Sequence, residues 1–145
     1  MSVIILAGLL IAASIFIHYE TLRLASRSAV ELQVRPRMRL WMMLTGAFVS
    51  HVIHIALYAG GYVLLEYVFV AGSIAGPDGG TFDDAFYFSI TSYTTLGIGD
   101  IYPTGQARLL SGLEALNGLV MVTWTASLTY IHMERFWAIG QHPSQ

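Results

Sequence analysis

The sequence contains no cysteine and no lysine, and little charge of either sign. Without cysteine there is no disulfide framework, no thiolate metal site and no thiol nucleophile. Charged residues make up 11% of the chain, where a soluble domain carries roughly 25%. All seven basic residues are arginines, and the net charge of −2 leaves no cationic surface suited to nucleic acid. No nucleophile has a base at plausible spacing, so the chain reads as a non-enzyme. What is abundant is apolar: 55% of the 145 residues are hydrophobic and the mean hydropathy is +0.62. The apolar residues come in blocks long enough to cross a bilayer, which is the pattern of an integral membrane protein.

The first block, Val3–Ile17 (VIILAGLLIAASIFI), is followed by His18 and Tyr19. Ala12, Ala13 and Ser14 raise a signal-peptide reading, but that needs a positive n-region, and only Met1 and Ser2 precede the run. An uncleaved membrane helix is the better reading. The linker 20–39 holds five of the seven arginines. Its Leu22, Ala25, Ala29 and Leu32 fall near helical spacing, so the helix is expected to continue as an amphipathic stretch until Pro36. A second apolar block, Leu40–Gly72, is longer than a bilayer requires, and its helix is expected to tilt or protrude. A turn-rich acidic loop follows, then the short block AFYFSITSYT at 85–94, which has too few residues to span and many hydroxyls. Gln106–Met133 makes a third full-length span.

Six of the seven arginines lie in 20–39 or at Arg135; Arg108 stands apart. The positive-inside rule then puts the linker and C-terminus in the cytoplasm and the N-terminus outside. The segments on either side of 84–99 are both external, so the short block must dip into the membrane and return. Backbone at that depth is tolerated only where protein buries it or water reaches it, which describes a re-entrant pore loop.

That loop carries TTLGIGDIYP at 94–103. Gly97-x-Gly99-Asp100 suggests at first a phosphate cradle, but a dinucleotide fingerprint needs a third glycine where Tyr102 stands, and a preceding strand. The stretch resembles instead the potassium-channel filter, usually Thr-Val-Gly-Tyr-Gly-Asp followed by an aromatic and proline. The resemblance covers roughly 40–135 and implies the two-helix pore module of bacterial potassium channels, here with an added N-terminal helix. It implies an all-α membrane protein with three transmembrane helices, a re-entrant pore helix and a filter loop, assembled as a homotetramer. The implied divisions are 1–39, the first helix and linker; 40–136, the pore module; and 137–145, a short cytoplasmic tail. Within the module fall an outer helix 40–72, a turret 73–83, a pore helix 84–94, a filter 95–100 and an inner helix 105–134.

By the same resemblance, Thr95, Leu96, Gly97 and Ile98 supply carbonyl oxygens to K+, and the Thr95 hydroxyl closes the innermost site. Gly99 and Asp100 shape the outer mouth. A filter of this kind replaces the ion's hydration shell with rings of carbonyls from four subunits. Tyr87, Phe88 and Thr91 support it from the pore helix, whose negative C-terminal end favours a cation in the cavity. One departure stands out: the family's bracing tyrosine is Ile98 here, which cannot hydrogen-bond to the pore helix. A weakly selective monovalent cation channel is the alternative this raises.

Leu119, Val122 and Ala126 would line the cavity, and Gly118 occupies the place of a hinge glycine or of a close helix contact. Glu114 lies near mid-membrane, where a carboxylate is costly and usually functional. Five residues before Leu119, it should face away from the pore, with Asn117 on the same helix face. Glu114 and Asn117 are therefore expected to anchor a buried polar network with His51, His54 and Tyr58 of the outer helix and Ser89, Thr91 and Ser92 of the pore helix. A protonated or hydrogen-bonded carboxyl is expected, serving structure, gating or ion attraction. His51 and His54 are candidate haem or metal ligands, but His18 and His132 fall near cytoplasmic ends, so no partner is expected at their depth. The expectation is no resident cofactor, with K+ as the permeant ion, copies of itself and membrane lipid as partners, and a multi-pass position in the plasma (inner) membrane. A haem- or quinone-linked redox protein and a non-conducting scaffold subunit are the competing classes.

Overall fold

The structure is a computed structural model that describes residues 3–31, 35–76 and 81–139. Residues 32–34 of the linker, 77–80 of the turret and 140–145 of the tail lie outside the described residues.

Four helices account for most of the described chain: α1 (Val3–Glu31), α2 (Pro36–Tyr67), α3 (Phe82–Tyr93) and α4 (Ala107–Ile139). Three are long and apolar enough to cross a membrane, over Val3–Ser28, Arg37–Tyr67 and Ala107–Glu134. The chain is an all-helical membrane protein. α1 runs unbroken past the expected end of its apolar block, and Glu20 and Arg23 pair on its exposed side at 2.9 Å. Pro36 occupies the first turn of α2, where its missing N–H costs nothing.

α2 stops at Tyr67, five residues before the end of the apolar block. Ala71 donates its N–H to the Leu65 carbonyl and Val70 adopts a φ of +47°, so the chain reverses there although its residues stay apolar. α3 starts two residues earlier than the pore helix 84–94 that the resemblance implied, because Thr81 caps it. The Thr81 hydroxyl accepts from Asp84 N–H while the Asp84 carboxylate accepts from Thr81 N–H, a reciprocal capping box. Asp83 and Asp84 also suit the positive end of the helix dipole.

A two-residue antiparallel pair, β1 (Ile74–Ala75) with β2 (Tyr102–Pro103), joins the segments flanking α3. Beside it, Thr104 N–H donates to Ser73 O (2.9 Å) and Gln106 N–H to Ala71 O (2.8 Å). Nothing in the composition of these residues signals the pairing; it arises because α2 and α4 bring them together.

Each long helix buries one stripe. On α1 it runs through Leu6, Ala7, Ser14, His18 and Leu22; on α2 through Met43, Ala47, Ser50, His54, Tyr58, Tyr62 and Leu65; on α4 through Leu110, Glu114, Asn117 and Met121. Within a bilayer the exposed faces gain as much from lipid as from protein, so close packing and hydrogen bonds hold these stripes together. The principal core joins Tyr58, Tyr62 and Leu65 to Leu6 and Ala7 of α1, Phe88 of α3 and Leu110 of α4.

Candidate functional site

The 94–100 segment leaves the C-terminal end of α3 under hydrogen-bond control. Thr95 N–H donates to Ser92 O (2.9 Å) and Gly97 N–H to Thr91 O (3.1 Å). Thr95, Gly97 and Gly99 have φ values of +60°, +56° and +86°, while Leu96 and Ile98 keep negative φ. Residues of positive and negative φ thus alternate from Thr95 to Gly99, a backbone course unlike that of an ordinary extended strand. A Cβ at Gly97 or Gly99 would meet nothing within 4 Å. Within the chain, glycine is needed there for its backbone angles. Thr95 adopts the same region at a cost of about 1–2 kcal/mol.

Among the residues expected around this turn, Tyr87, Phe88 and Thr91 hold different positions. The Tyr87 hydroxyl donates to Asp100 Oδ2 at 2.9 Å, and Asp100 Oδ1 accepts Ile101 N–H at 3.0 Å. That bond to the carboxylate raises the Tyr87 pKa above the usual phenol range. Phe88 is buried edge-on against Tyr62, with ring centroids 5.2 Å apart. The Thr91 hydroxyl donates to Phe88 O, so Thr91 meets the turn through its carbonyl. Ile98 makes no polar brace, and the hydroxyl brace of the turn runs from Tyr87 to Asp100 instead.

Glu114 is fully buried. Its carboxyl oxygens face the hydroxyls of Tyr62 on α2 and Ser89 on α3, the Tyr62 hydroxyl donating to Oε2. Ser89 Oγ also lies 2.8 Å from Ile55 O, which can only accept. One hydroxyl proton cannot fill both Ser89 contacts. Both are filled when Ser89 donates to Ile55 O and a protonated Glu114 donates to Ser89 Oγ. Ser92 also lies within side-chain reach of Glu114, and His51 and His54 are the expected members that belong elsewhere. Asn117 shares the buried face beside Tyr58, and its amide and the Tyr58 hydroxyl interact at looser than ordinary hydrogen-bond geometry. Ser92 donates to Ser111 O. Tyr62, the principal donor to Glu114, gave no sequence signal, being one of eight tyrosines.

His51 and His54 belong to a second cluster, and His18 joins them. The sequence reading set His18 near the cytoplasmic end of its helix; α1 continues to Glu31, and His18 packs beside α2 with zero exposure. The hydrogen bonds form a closed ring. His18 Nδ1 meets Ser50 Oγ (3.0 Å), which meets His54 Nε2 (3.2 Å). His54 Nδ1 meets the Tyr93 hydroxyl, which also meets His51 Nδ1, both at 2.9 Å. His51 Nε2 meets Thr125 Oγ1 (3.1 Å), which returns to His18 Nε2 (3.2 Å). Three imidazoles alternate with three hydroxyls drawn from all four helices. His132 takes no part, facing Leu128 O on its own helix at 2.8 Å.

Gly118 lies where α4 passes the end of α3, and a Cβ there would collide with the Tyr93 carbonyl oxygen. Leu119, Val122 and Ala126 occupy the exposed side of α4, opposite Glu114 and Asn117.

Comparison with known proteins bears on the family of the chain. Residues 50–135 match the family described as "Ion channel". The chain is 35% identical over 94 residues to the inward rectifier potassium channel Kirbac3.1 of Paramagnetospirillum magnetotacticum, covering 60% of this chain and 32% of that protein. It is 27% identical over 94 residues to two-pore potassium channel 4 of Arabidopsis thaliana, covering 64% of this chain and 31% of that one. The chain thus spans about a third of the length of the curated relatives it matches. With more than half of its residues inside the family match and three helices able to cross a bilayer, the chain belongs to the ion channel family.

Proposed function

We propose that the protein conducts potassium ions passively and selectively, through a pore made by four copies, without catalysing a reaction. The observation that carries this is the alternating backbone of Thr95–Gly99, whose angles suit a row of carbonyl oxygens on one side. A single row coordinates a cation weakly. Four rows around an axis replace a full hydration shell, so oligomerisation completes the site. The exposed apolar side chains of Leu96 (65%) and Ile98 (57%) fit this reading, because a neighbouring copy would cover them. The carbonyl end of α3 would favour a cation below the turn. The asymmetry in arginine placement supports an N-terminus outside and a C-terminus in the cytoplasm, across the plasma (inner) membrane.

Potassium selectivity needs carbonyls held at a fixed spacing. The Thr95–Ser92 and Gly97–Thr91 bonds restrain the inner half of the row and the Tyr87–Asp100 bond holds the chain just past its outer end, which supports that reading. The second reading, a weakly selective monovalent cation channel, draws on Ile98, which leaves the row without a side-chain hydrogen bond between Gly97 and Asp100. Flux into liposomes containing the purified protein separates the two. Potassium and rubidium should pass at least about tenfold faster than sodium; equal fluxes establish the weakly selective channel, and no flux removes both readings. Tyr87→Phe should raise the sodium share of the flux, measured as a reversal-potential shift in mixed salts.

A further inference from the structure

We propose that His18, His51 and His54 form a binding site for a late first-row divalent metal ion such as zinc, copper or nickel, placed between the first helix and the end of the pore helix. The site stands on the side-chain geometry and does not depend on the conduction reading.

One ring nitrogen from each histidine lies within 4.8 Å of the other two. A tetrahedral zinc site has Zn–N distances of about 2.0–2.1 Å, so its nitrogens stand roughly 3.3 Å apart. Each imidazole would therefore draw in by about 1 Å, a movement within the reach of side-chain rotation. His51 and His54, three residues apart on α2, share a helix face, and His18 approaches from α1.

The proton inventory suits a metal. A neutral imidazole has one lone pair and one N–H. Three histidines thus offer three lone pairs to an ion and keep three N–H groups that need acceptors. The ring supplies them. Ser50, Tyr93 and Thr125 each stand between two ring nitrogens. Going round the ring, each hydroxyl can release one nitrogen to the ion and still accept from the other. Thr125, relieved of one contact, retains an acceptor for its own proton in Met121 O at 3.1 Å. Metal-bound histidines characteristically donate their second N–H to an oriented partner of this kind.

The donor set also sets the class of ion. Imidazole nitrogens suit zinc, copper and nickel, whereas magnesium and calcium require oxygen ligands. Charge within the membrane is partly met by the helix that ends here: Tyr93 is the last residue of α3, so the ring lies at that helix's negative end. An approach path exists as well. A groove of about 510 Å³ between α2 and α4 is lined by His51 and Thr125 together with Val122 and Ala126. It leaves one side of the cluster open for a fourth ligand, such as water.

The test uses the full chain, purified in detergent with any polyhistidine tag removed, and Co2+ as the probe. About one cobalt per chain should bind with the intense visible absorption of a tetrahedral site, and Zn2+ should displace it. His18→Gln, His51→Gln and His54→Gln should each weaken binding about tenfold or more, while His132→Gln leaves it unchanged. His18→Cys restores a ligand, so it should retain cobalt and add a thiolate charge-transfer band, which separates loss of a ligand from loss of the fold. Cobalt that keeps its octahedral aqueous spectrum, or that binds equally to a variant lacking all three histidines, overturns the site. Cobalt binding in a protein that shows no ion flux would remove the conduction reading alone.

Discussion

Two polar clusters lie among the same helices, and they meet the membrane interior differently. The Glu114 cluster is small and closed: one carboxyl, two hydroxyls and a backbone carbonyl, with the carboxyl proton needed to complete it. The histidine cluster is larger and symmetric, with every ring nitrogen facing a hydroxyl that is shared with another ring. In the first, each group has its own partner, and removing one orphans another. In the second, shared partners leave room for exchange. A site that must hold a fixed shape behind a pore loop benefits from the first arrangement; a site that takes up and releases a ligand benefits from the second.

Substitutions can break that contrast, in order of expected size. Glu114→Ala strands the Tyr62 hydroxyl in an apolar setting and opens a cavity, and should cost about 3 kcal/mol or more of stability. Glu114→Gln should cost under about 1 kcal/mol, because its amide copies the donor and acceptor of a protonated acid. Thermal unfolding in detergent measures both; equal losses would show that the carboxyl is held in its charged form. Gly118→Ala forces apart α4 and the Tyr93 carbonyl, an overpacking of about 1–3 kcal/mol. It should disturb the histidine ring, read as weaker cobalt binding, while Glu114→Gln leaves cobalt binding unchanged. Tyr93→Phe removes one shared hydroxyl and should cost about 1 kcal/mol. Glu20→Ala removes an exposed ion pair and should stay within about 0.5 kcal/mol, marking the baseline.

The two clusters were not equally legible in the sequence. A carboxylate within an apolar run stands out, and helical spacing was enough to turn Glu114 and Asn117 away from Leu119. Its donor was not legible, because a tyrosine in a membrane helix is unremarkable and only the crossing of α2 and α4 selects Tyr62. The pore loop was visible through its length, its hydroxyls and its glycines, all local properties. The histidine ring needed tertiary information: Ser50, Tyr93 and Thr125 are common residues, and His18 follows directly on the apolar block, where the sequence set it near a cytoplasmic end. Helix α1 continues to Glu31, as the helical spacing of its linker suggested, because backbone hydrogen bonding does not stop where hydrophobicity does. The β1–β2 pair was likewise invisible, since two residues carry no pattern.

The attachments of the 94–100 segment have a mechanical consequence. On one side it is tied to α3 through Thr91 and Ser92; beyond Asp100 the chain is tied at Ser73 and Ala71, just past the end of α2. It therefore hangs like a cord between two pegs driven into the same wall. Neither peg lies on the far half of α4, which is held separately through Thr125 to His18 and His51. Where α4 does bear on this frame is the point at which Gly118 touches the Tyr93 carbonyl, one residue before the cord begins.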